Sequence, residues 1–188
     1  MININPSLDL FLKNFNNKKN QIIWKSIKSD LDTPVSAYLK LCKNKENSFL
    51  LESVQDGTYR GRYSIIGTEP DLIWKYNNGI AYIKKIKHNK SLGFKAQKES
   101  PLISLKKVIN KSKIKIPKSL PPMTSSLIGY LNYETIELYE DLPKGKKKTI
   151  PVPDGFFIRP TVMAIFDSIK NEVLFACPCW YTESINPK

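Results

Sequence analysis

Asn77-Asn78-Gly79 stands between two β-rich runs, Asp71-Leu72-Ile73-Trp74-Lys75-Tyr76 and Ile80-Ala81-Tyr82-Ile83-Lys84-Lys85. Asn-Gly between such runs is the strongest short-range hairpin signal in the chain, and it commits this stretch to an antiparallel pair. A second hairpin follows the same logic: Thr161 to Phe166, a turn over Asp167 to Asn171, then Glu172 to Cys177. Further β-type runs lie at Gln21–Ile27, Phe49–Ser53, Tyr63–Ile66 (ended by Gly67) and Leu127–Leu131, the last interrupted by Gly129. Between them lie helical patterns. Leu8, Phe11, Leu12 and Phe15 make one stripe behind Ser7. Thr33-Pro34 and Ser100-Pro101 are cap-then-proline starts, the first leading a stripe of Val35, Tyr38, Leu39 and Cys42 and the second one of Leu102, Leu105, Val108 and Ile109. Tyr133 to Leu142 shows a weaker helical pattern carrying Ile136 and Tyr139. Gln55-Asp56-Gly57 reads as a turn, Lys84 to Lys98 as loop or edge strand, Pro121-Pro122-Met123 as an extended linker and Ile150–Asp154 as a proline-stiffened loop. Strands that neighbour one another in sequence, with helices between, give an α+β class built on antiparallel sheet.

A formal net charge of +13 invites a nucleic-acid reading, but the cations argue against it. Only Arg60, Arg62 and Arg159 are arginines; the rest are lysines in a chain also rich in asparagine and isoleucine. Bidentate phosphate and base recognition calls for arginine, so no nucleic-acid partner is expected, and Lys144-Gly145-Lys146-Lys147-Lys148 reads as a solvated loop. No apolar run approaches the ~20 residues that span a bilayer, so no membrane role is expected. Residues Met1 to Asn5 have neither a basic region nor an apolar one of signal-peptide type, which makes the cytoplasm the expected location. Cys42 falls on an apolar helix face, Cys177-Pro178-Cys179 lacks metal or redox spacing, and His88 is the single histidine. No nucleophile–base set and no phosphate loop is present; Gly57-x3-Gly61 lacks the P-loop lysine. Glu134 and Glu137 have a spacing that suits Mg²⁺, yet with Glu140 and Asp141 they read as a solvated acidic face.

The run Phe49-Leu50-Leu51-Glu52-Ser53 ends an apolar stretch abruptly in a carboxylate and a hydroxyl, with Gly61-Arg62-Tyr63-Ser64-Ile65-Ile66-Gly67 soon after. It reads as a buried strand whose end reaches an edge or a pocket. Two arrangements satisfy these residues. In one, Ser53 bonds backbone while Glu52 faces water or pairs with Arg60 or Arg62. In the other, Glu52 and Ser53 meet a small polar ligand, a pair suited to the ammonium group of an amino acid.

These segments carry a family resemblance. TPVSAYLKL (33–41), LLES (50–53), GRYSIIG (61–67) and GYLNYE (129–134), in that order, resemble the N-terminal region of anthranilate synthase component I, the chorismate-using subunit of the first committed step of tryptophan synthesis. The resemblance runs from about Gln21 to the C-terminus. It implies antiparallel sheets packed orthogonally, sandwich-like, with flanking helices. It also implies an arm over residues 1–20, the family's N-terminal domain over 21–180 and a tail over 181–188. The LLES serine, here Ser53, contributes in that family to the site where L-tryptophan binds and inhibits; Leu51 and Glu52 lie beside it, and Arg62 is a carboxylate-binding or wall residue. The resemblance implies that the family's catalytic residues, chorismate contacts and Mg²⁺ carboxylates belong to a C-terminal chorismate-binding domain, which is expected to be absent from these 188 residues. No catalytic residue, metal or cofactor is therefore expected here, although Mg²⁺ is expected for the full-length enzyme. The implied partners are that C-terminal domain and a glutamine amidotransferase subunit. The isolated chain is expected to leave apolar sheet surface uncovered. Aminodeoxychorismate synthase component I and a stand-alone amino-acid-binding module are the alternatives.

Overall fold

The computed structural model describes residues 4–53, 61–87, 90–140 and 150–182. The turn at 55–57, Arg60, His88, Asp141 and the lysine cluster at 144–148 lie outside them. The class is α+β, with α1 (Leu8–Asn16), β1 (Gln21–Lys28), α2 (Pro34–Cys42), β2 (Phe49–Leu51), β3 (Tyr63–Asn77), β4 (Ile80–Lys87), β5 (Lys90–Ala96), α3 (Pro101–Lys111), β6 (Ile128–Leu131), β7 (Gly155–Asp167) and β8 (Glu172–Cys179). The strands form one sheet in the order β1-β8-β7-β3-β4-β5, with β2 on β3 and β6 on β7. Every pairing with a defined register is antiparallel, as expected of the class. The chain divides into two compact units: Met1–Pro70, Lys113–Ser126 and Pro160–Lys188 form the first, Asp71–Ser112 and Leu127–Arg159 the second. Both long strands carry a proline at this division, Pro70 in β3 and Pro160 in β7. Proline cannot donate to a ladder, and Glu69 beside Pro70 takes a left-handed φ of 52°.

The second unit is built on the Asn-Gly hairpin. Trp74 faces Ile83 and Asn77 faces Ile80 across β3 and β4, and Asn78 and Gly79 both take positive φ, 49° and 80°. Those two angles are what a two-residue type I′ connection requires. Helix α3 begins at Pro101 behind Ser100 and buries Ser104, Leu105 and Val108. Its apolar side packs in a cluster with Leu72, Trp74, Tyr76 and Ala81. Ile109, expected on that face, is 45% exposed. The Trp74 indole donates to Ser104 Oγ at 3.1 Å, so burying the ring leaves no polar atom of it unpaired. Arg159 grips Asp71 through two bonds of 2.7 Å and reaches Ser112 at 3.1 Å. The segment expected as loop or edge strand is the edge strand β5. There Lys75 Nζ lies 4.0 Å from the centre of the Phe94 ring. Gly129 does not interrupt β6: a side chain at that position would collide with the Phe156 carbonyl of β7, so glycine permits the pairing. Tyr133–Leu138 is a short 3-10 helix, and Tyr133 and Tyr139 are exposed.

In the first unit β1 pairs with β8 over eight residues, from Gln21 against Cys179 to Lys28 against Glu172. Helix α2 has the cap read from the sequence: Thr33 Oγ1 accepts from the Ser36 backbone N–H, and the Ser36 hydroxyl accepts from that of Thr33. Its packed face keeps Tyr38 and Cys42 of the expected stripe and has Ala37 and Leu41 where Val35 and Leu39 were expected. Ala37 and Cys42 are buried, with Tyr38 and Leu41 packed beside them on Ile66, Ala164, Phe166 and Val173, while Val35 and Leu39 are 47% and 63% exposed. The side of the helix turned to the sheet is set by that sheet, a partner that the helix's own sequence does not show. Two strand expectations also change. Strand β2 is a three-residue edge piece on β3, half-buried at Phe49 and Leu50 and exposed at Leu51, not a buried strand through Ser53. Strand β3 continues past Gly67, because the Phe49 ring fills the space where a side chain at residue 67 would stand. Pro122–Thr124 forms a 3-10 turn within the stretch read as extended.

Cys42, Cys177 and Cys179 are free thiols. Burial pushes the Cys179 thiol from 9.0 up to about 11, with Cys177 next to it adding charge repulsion. Between those values the unfolded chain releases a proton that the folded chain keeps, so stability falls as pH rises through this window. Urea unfolding at rising pH should show Cys179 removing up to about 2 kcal/mol by its upper end. Cys179→Ala should lose less over the same range; a parallel pH profile for the two proteins would rule this out.

Candidate functional site

Four segments of the first unit converge on a cleft of about 470 Å³, within the ~300–1,000 Å³ usual for small-ligand sites. They are the loop into α2 with its first residue (Ser29, Asp32, Thr33, Pro34), the two residues after β2 (Glu52, Ser53), the approach to β3 and its second residue (Gly61, Arg62, Ser64), and the β7–β8 turn with its flanks (Phe166, Asp167, Ser168, Asn171, Glu172). Of the residues marked from the sequence, Glu52, Ser53 and Arg62 line this one cleft; Leu51, 46% exposed at the end of β2, does not.

Glycine makes the close approach of residues 53 and 61, just outside the β2–β3 pairing, feasible. A side chain at residue 61 would occupy the space of the Ser53 side chain, so the absence of one there lets Ser53 settle against the strand. Arg62, next along, donates from Nε to both oxygens of Asp167 at 3.2 Å and from Nη2 to Oδ2 at 2.9 Å. The guanidinium holds the Asp167 carboxyl below its ordinary range, and that carboxylate keeps Arg62 protonated. Arg62 therefore pairs with Asp167, not with Glu52.

The charges of the cleft sort by partner. Four carboxylates line it: Asp32, Glu52, Asp167 and Glu172. Lys40 sits 2.5 Å from Asp32 and, with the Ser36 hydroxyl, lowers its pKa. Lys28 sits 3.1 Å from Glu172, and Asp167 holds Arg62. Glu52 is the exception: among the described residues it has no hydrogen bond or ion pair. Arg62 Nη1 likewise meets no described acceptor, and hydroxyls of Ser53, Ser64 and Ser168 line the space between loops. An unmatched carboxylate, a guanidinium edge and nearby hydroxyls in one cleft are the groups that receive a zwitterion: ammonium on the carboxylate, carboxylate on the guanidinium. The cleft offers Phe166 and Pro34 as its apolar lining.

Asp32, Gly61, Asp167 and Glu172 were not marked from the sequence. Gly61 carries a signal in its motif, but Asp167 lies 105 residues from the arginine that it holds. Glu134 and Glu137 sit exposed on or beside the short 3-10 helix; among the described residues no group of three His, Cys, Asp or Glu side chains is arranged for a metal. Among the described residues no helix is long and apolar enough to cross a membrane.

No family model matches the chain. Individual proteins do. Anthranilate synthase component 1 of Cereibacter sphaeroides is 36% identical over 182 residues, 97% of this chain and 36% of that protein. The protein of the same name from Thermus thermophilus is 33% identical over 154 residues, 82% of this chain and 31% of that one. Among solved structures, anthranilate synthase component I from Streptococcus pneumoniae superposes with a TM-score of 0.55 at 27% identity, covering 85% of this chain and 33% of its own. The resemblance read from TPVSAYLKL, LLES, GRYSIIG and GYLNYE is borne out, as is the fold it implied in class, strand direction and flanking helices. The chain spans about a third of the length of the curated relatives it matches.

Proposed function

We propose, on the premise that this chain is a relative of anthranilate synthase component I over about a third of that protein's length, that it is the effector-binding part of such an enzyme. The effector is L-tryptophan. The observation that carries the reading is the cleft in which Ser53 and Glu52 of LLES meet Arg62 of GRYS, with Glu52 the one lining carboxylate that no described cation neutralises. In this reading Glu52 accepts from the effector's ammonium, Arg62 takes its carboxylate, and Ser53 bonds one of the two. Leu51 lies outside the lining and contributes through the position of β2.

The whole enzyme would convert chorismate to anthranilate and pyruvate in tryptophan synthesis, with ammonia delivered by a glutamine amidotransferase subunit. The name "component 1" carried by the relatives itself speaks for a second component. Catalysis, and the Mg²⁺ that the family uses, would belong to the remaining two thirds. Tryptophan would act by binding one of two states more tightly, the state in which the catalytic part is less competent. End-product inhibition of this kind needs no chemistry at the cleft.

Isotope-edited NMR titration of the 188-residue chain tests the reading. L-Tryptophan should shift the resonances of Ser53, Gly61 and Arg62 saturably and weakly, since the resemblance implies that members of the family also build this pocket from a segment of their C-terminal chorismate-binding part. Absence of saturable shifts at these residues up to millimolar tryptophan would overturn it.

A further inference from the structure

We infer that Asp167 is the positioning residue of the effector site: by gripping Arg62 from behind, it sets one guanidinium edge to receive the free α-carboxylate of an amino acid. The inference rests on the effector reading above and adds the group that makes the site selective for amino acids over amines.

The device has several parts. Arg62 is a long side chain, 43% exposed, and would sample many rotamers if unheld. The Asp167 carboxylate, itself 10% exposed, takes Nε and Nη2 in a side-on fork. Asp167 is fixed in turn: its Oδ1 accepts from the backbone N–H of Ile169 at 3.1 Å and of Lys170 at 3.3 Å. The same turn holds the main chain of Arg62, whose carbonyl accepts from the Ser168 backbone N–H at 2.9 Å and its hydroxyl at 3.1 Å. The Tyr63 ring lies 4.8 Å from the guanidinium carbon. One five-residue turn thus fixes both ends of Arg62. A side-on fork uses one edge of the guanidinium and leaves the edge with Nη1 for a second carboxylate.

Two effects of Asp167 on a bound carboxylate oppose each other. Its negative charge repels the ligand, which in a solvated cleft weakens affinity about threefold. Its grip spares the ligand the ordering of a free arginine side chain, which is worth about thirtyfold. Positioning therefore outweighs repulsion by about tenfold. A purely electrostatic role predicts the opposite sign.

The test titrates the 188-residue wild type, Asp167→Asn and Arg62→Lys with L-tryptophan and with tryptamine, which has the same ring and ammonium but no carboxylate. Asp167→Asn keeps the size and removes the fork; Arg62→Lys keeps the charge and removes the planar edge. Both should bind tryptophan about tenfold more weakly and tryptamine within about twofold of wild type. Equal or tighter tryptophan binding by Asp167→Asn overturns the inference, and so does an equal loss for both ligands, which would mark a merely structural role. If Asp167→Asn does not fold, the exposed Arg62→Lys decides alone: unchanged tryptophan affinity there overturns it. A wild type that binds neither ligand removes the effector reading and this inference with it, whereas wild-type binding with variant indifference removes only the inference.

Discussion

Trp74→Ala should lower the unfolding free energy of this chain by about 3–5 kcal/mol, a large share of the ~5–15 kcal/mol that holds a folded domain together. Trp74 is 1% exposed and is the largest of the fully buried side chains. Its ring centre lies 6.0 Å from that of Phe157 and 6.5 Å from that of Tyr76, and its indole N–H donates to the buried Ser104 hydroxyl. Truncation removes the packing of β3 against α3, leaves a cavity that close-packed neighbours fill only in part, and strips Ser104 of its donor. Trp74→Phe separates these costs. It restores most of the ring volume but not the N–H, so about 1–2 kcal/mol should remain lost. Urea unfolding followed by far-ultraviolet circular dichroism would read the alanine change as a midpoint shift of about 2 M at ordinary m-values. A shift below about 0.5 M would mean that the second unit contributes little to the cooperative core.

That unit was also the most legible part of the fold. Asn78-Gly79 dictates its own turn because only residues tolerant of positive φ can close a two-residue hairpin, and both angles are present. The proline-led helix starts read correctly in position for a similar reason, since proline at the first helical position sacrifices no hydrogen bond, although only Thr33 caps with its side chain and Ser100 does not. What failed depended on a partner element far away in sequence. Gly67 looks like a strand end until the Phe49 ring is seen in its side-chain space. Gly129 looks like an interruption until the Phe156 carbonyl is placed beside it. Val35, Tyr38, Leu39 and Cys42 satisfy one helical stripe, yet only Tyr38 and Cys42 meet the sheet, with Ala37 and Leu41 in place of Val35 and Leu39, because the side of the helix turned to the sheet is set by partners that the helix's own sequence does not show.

The candidate site divides along the same line. LLES and GRYS were legible because their polar residues end or begin short apolar runs, and the structure brings Glu52, Ser53 and Arg62 to one cleft. From chemistry alone the strand-end reading, with Glu52 facing water or paired with Arg60 or Arg62, was the more natural one. What excludes a Glu52–Arg62 pair is the fork to Asp167, and no local pattern announces a partner 105 residues away. The assignment of roles within the cleft followed only after each carboxylate had been matched to its cation, which requires the antiparallel β7–β8 turn and the loop before α2 to be in place.

If the proposed function holds, this chain joined to the remaining length that its relatives carry makes anthranilate from chorismate under inhibition by L-tryptophan, and Ser53→Phe should raise the half-inhibitory tryptophan concentration at least about 100-fold. That factor corresponds to about 2.8 kcal/mol of lost effector binding. Ser53 is exposed at the mouth of a cleft whose apolar lining is slight, so the substitution disturbs little core. It replaces a hydroxyl with a ring that must either enter the cleft or push β2 away from Gly61, where there is no room for it. Either way the effector loses a hydrogen bond and meets a steric block. Chorismate turnover without tryptophan should stay within about twofold, because no reacting atom is assigned to this cleft. Gly61→Ala approaches the same contact from the other side: its methyl group would occupy the place of Ser53 and should weaken inhibition about tenfold, less than the ring does. Steady-state inhibition curves for the three proteins check both. Wild-type sensitivity in Ser53→Phe would detach Ser53 from the effector site. A matching fall in turnover would instead place the residue in the route from chorismate to anthranilate.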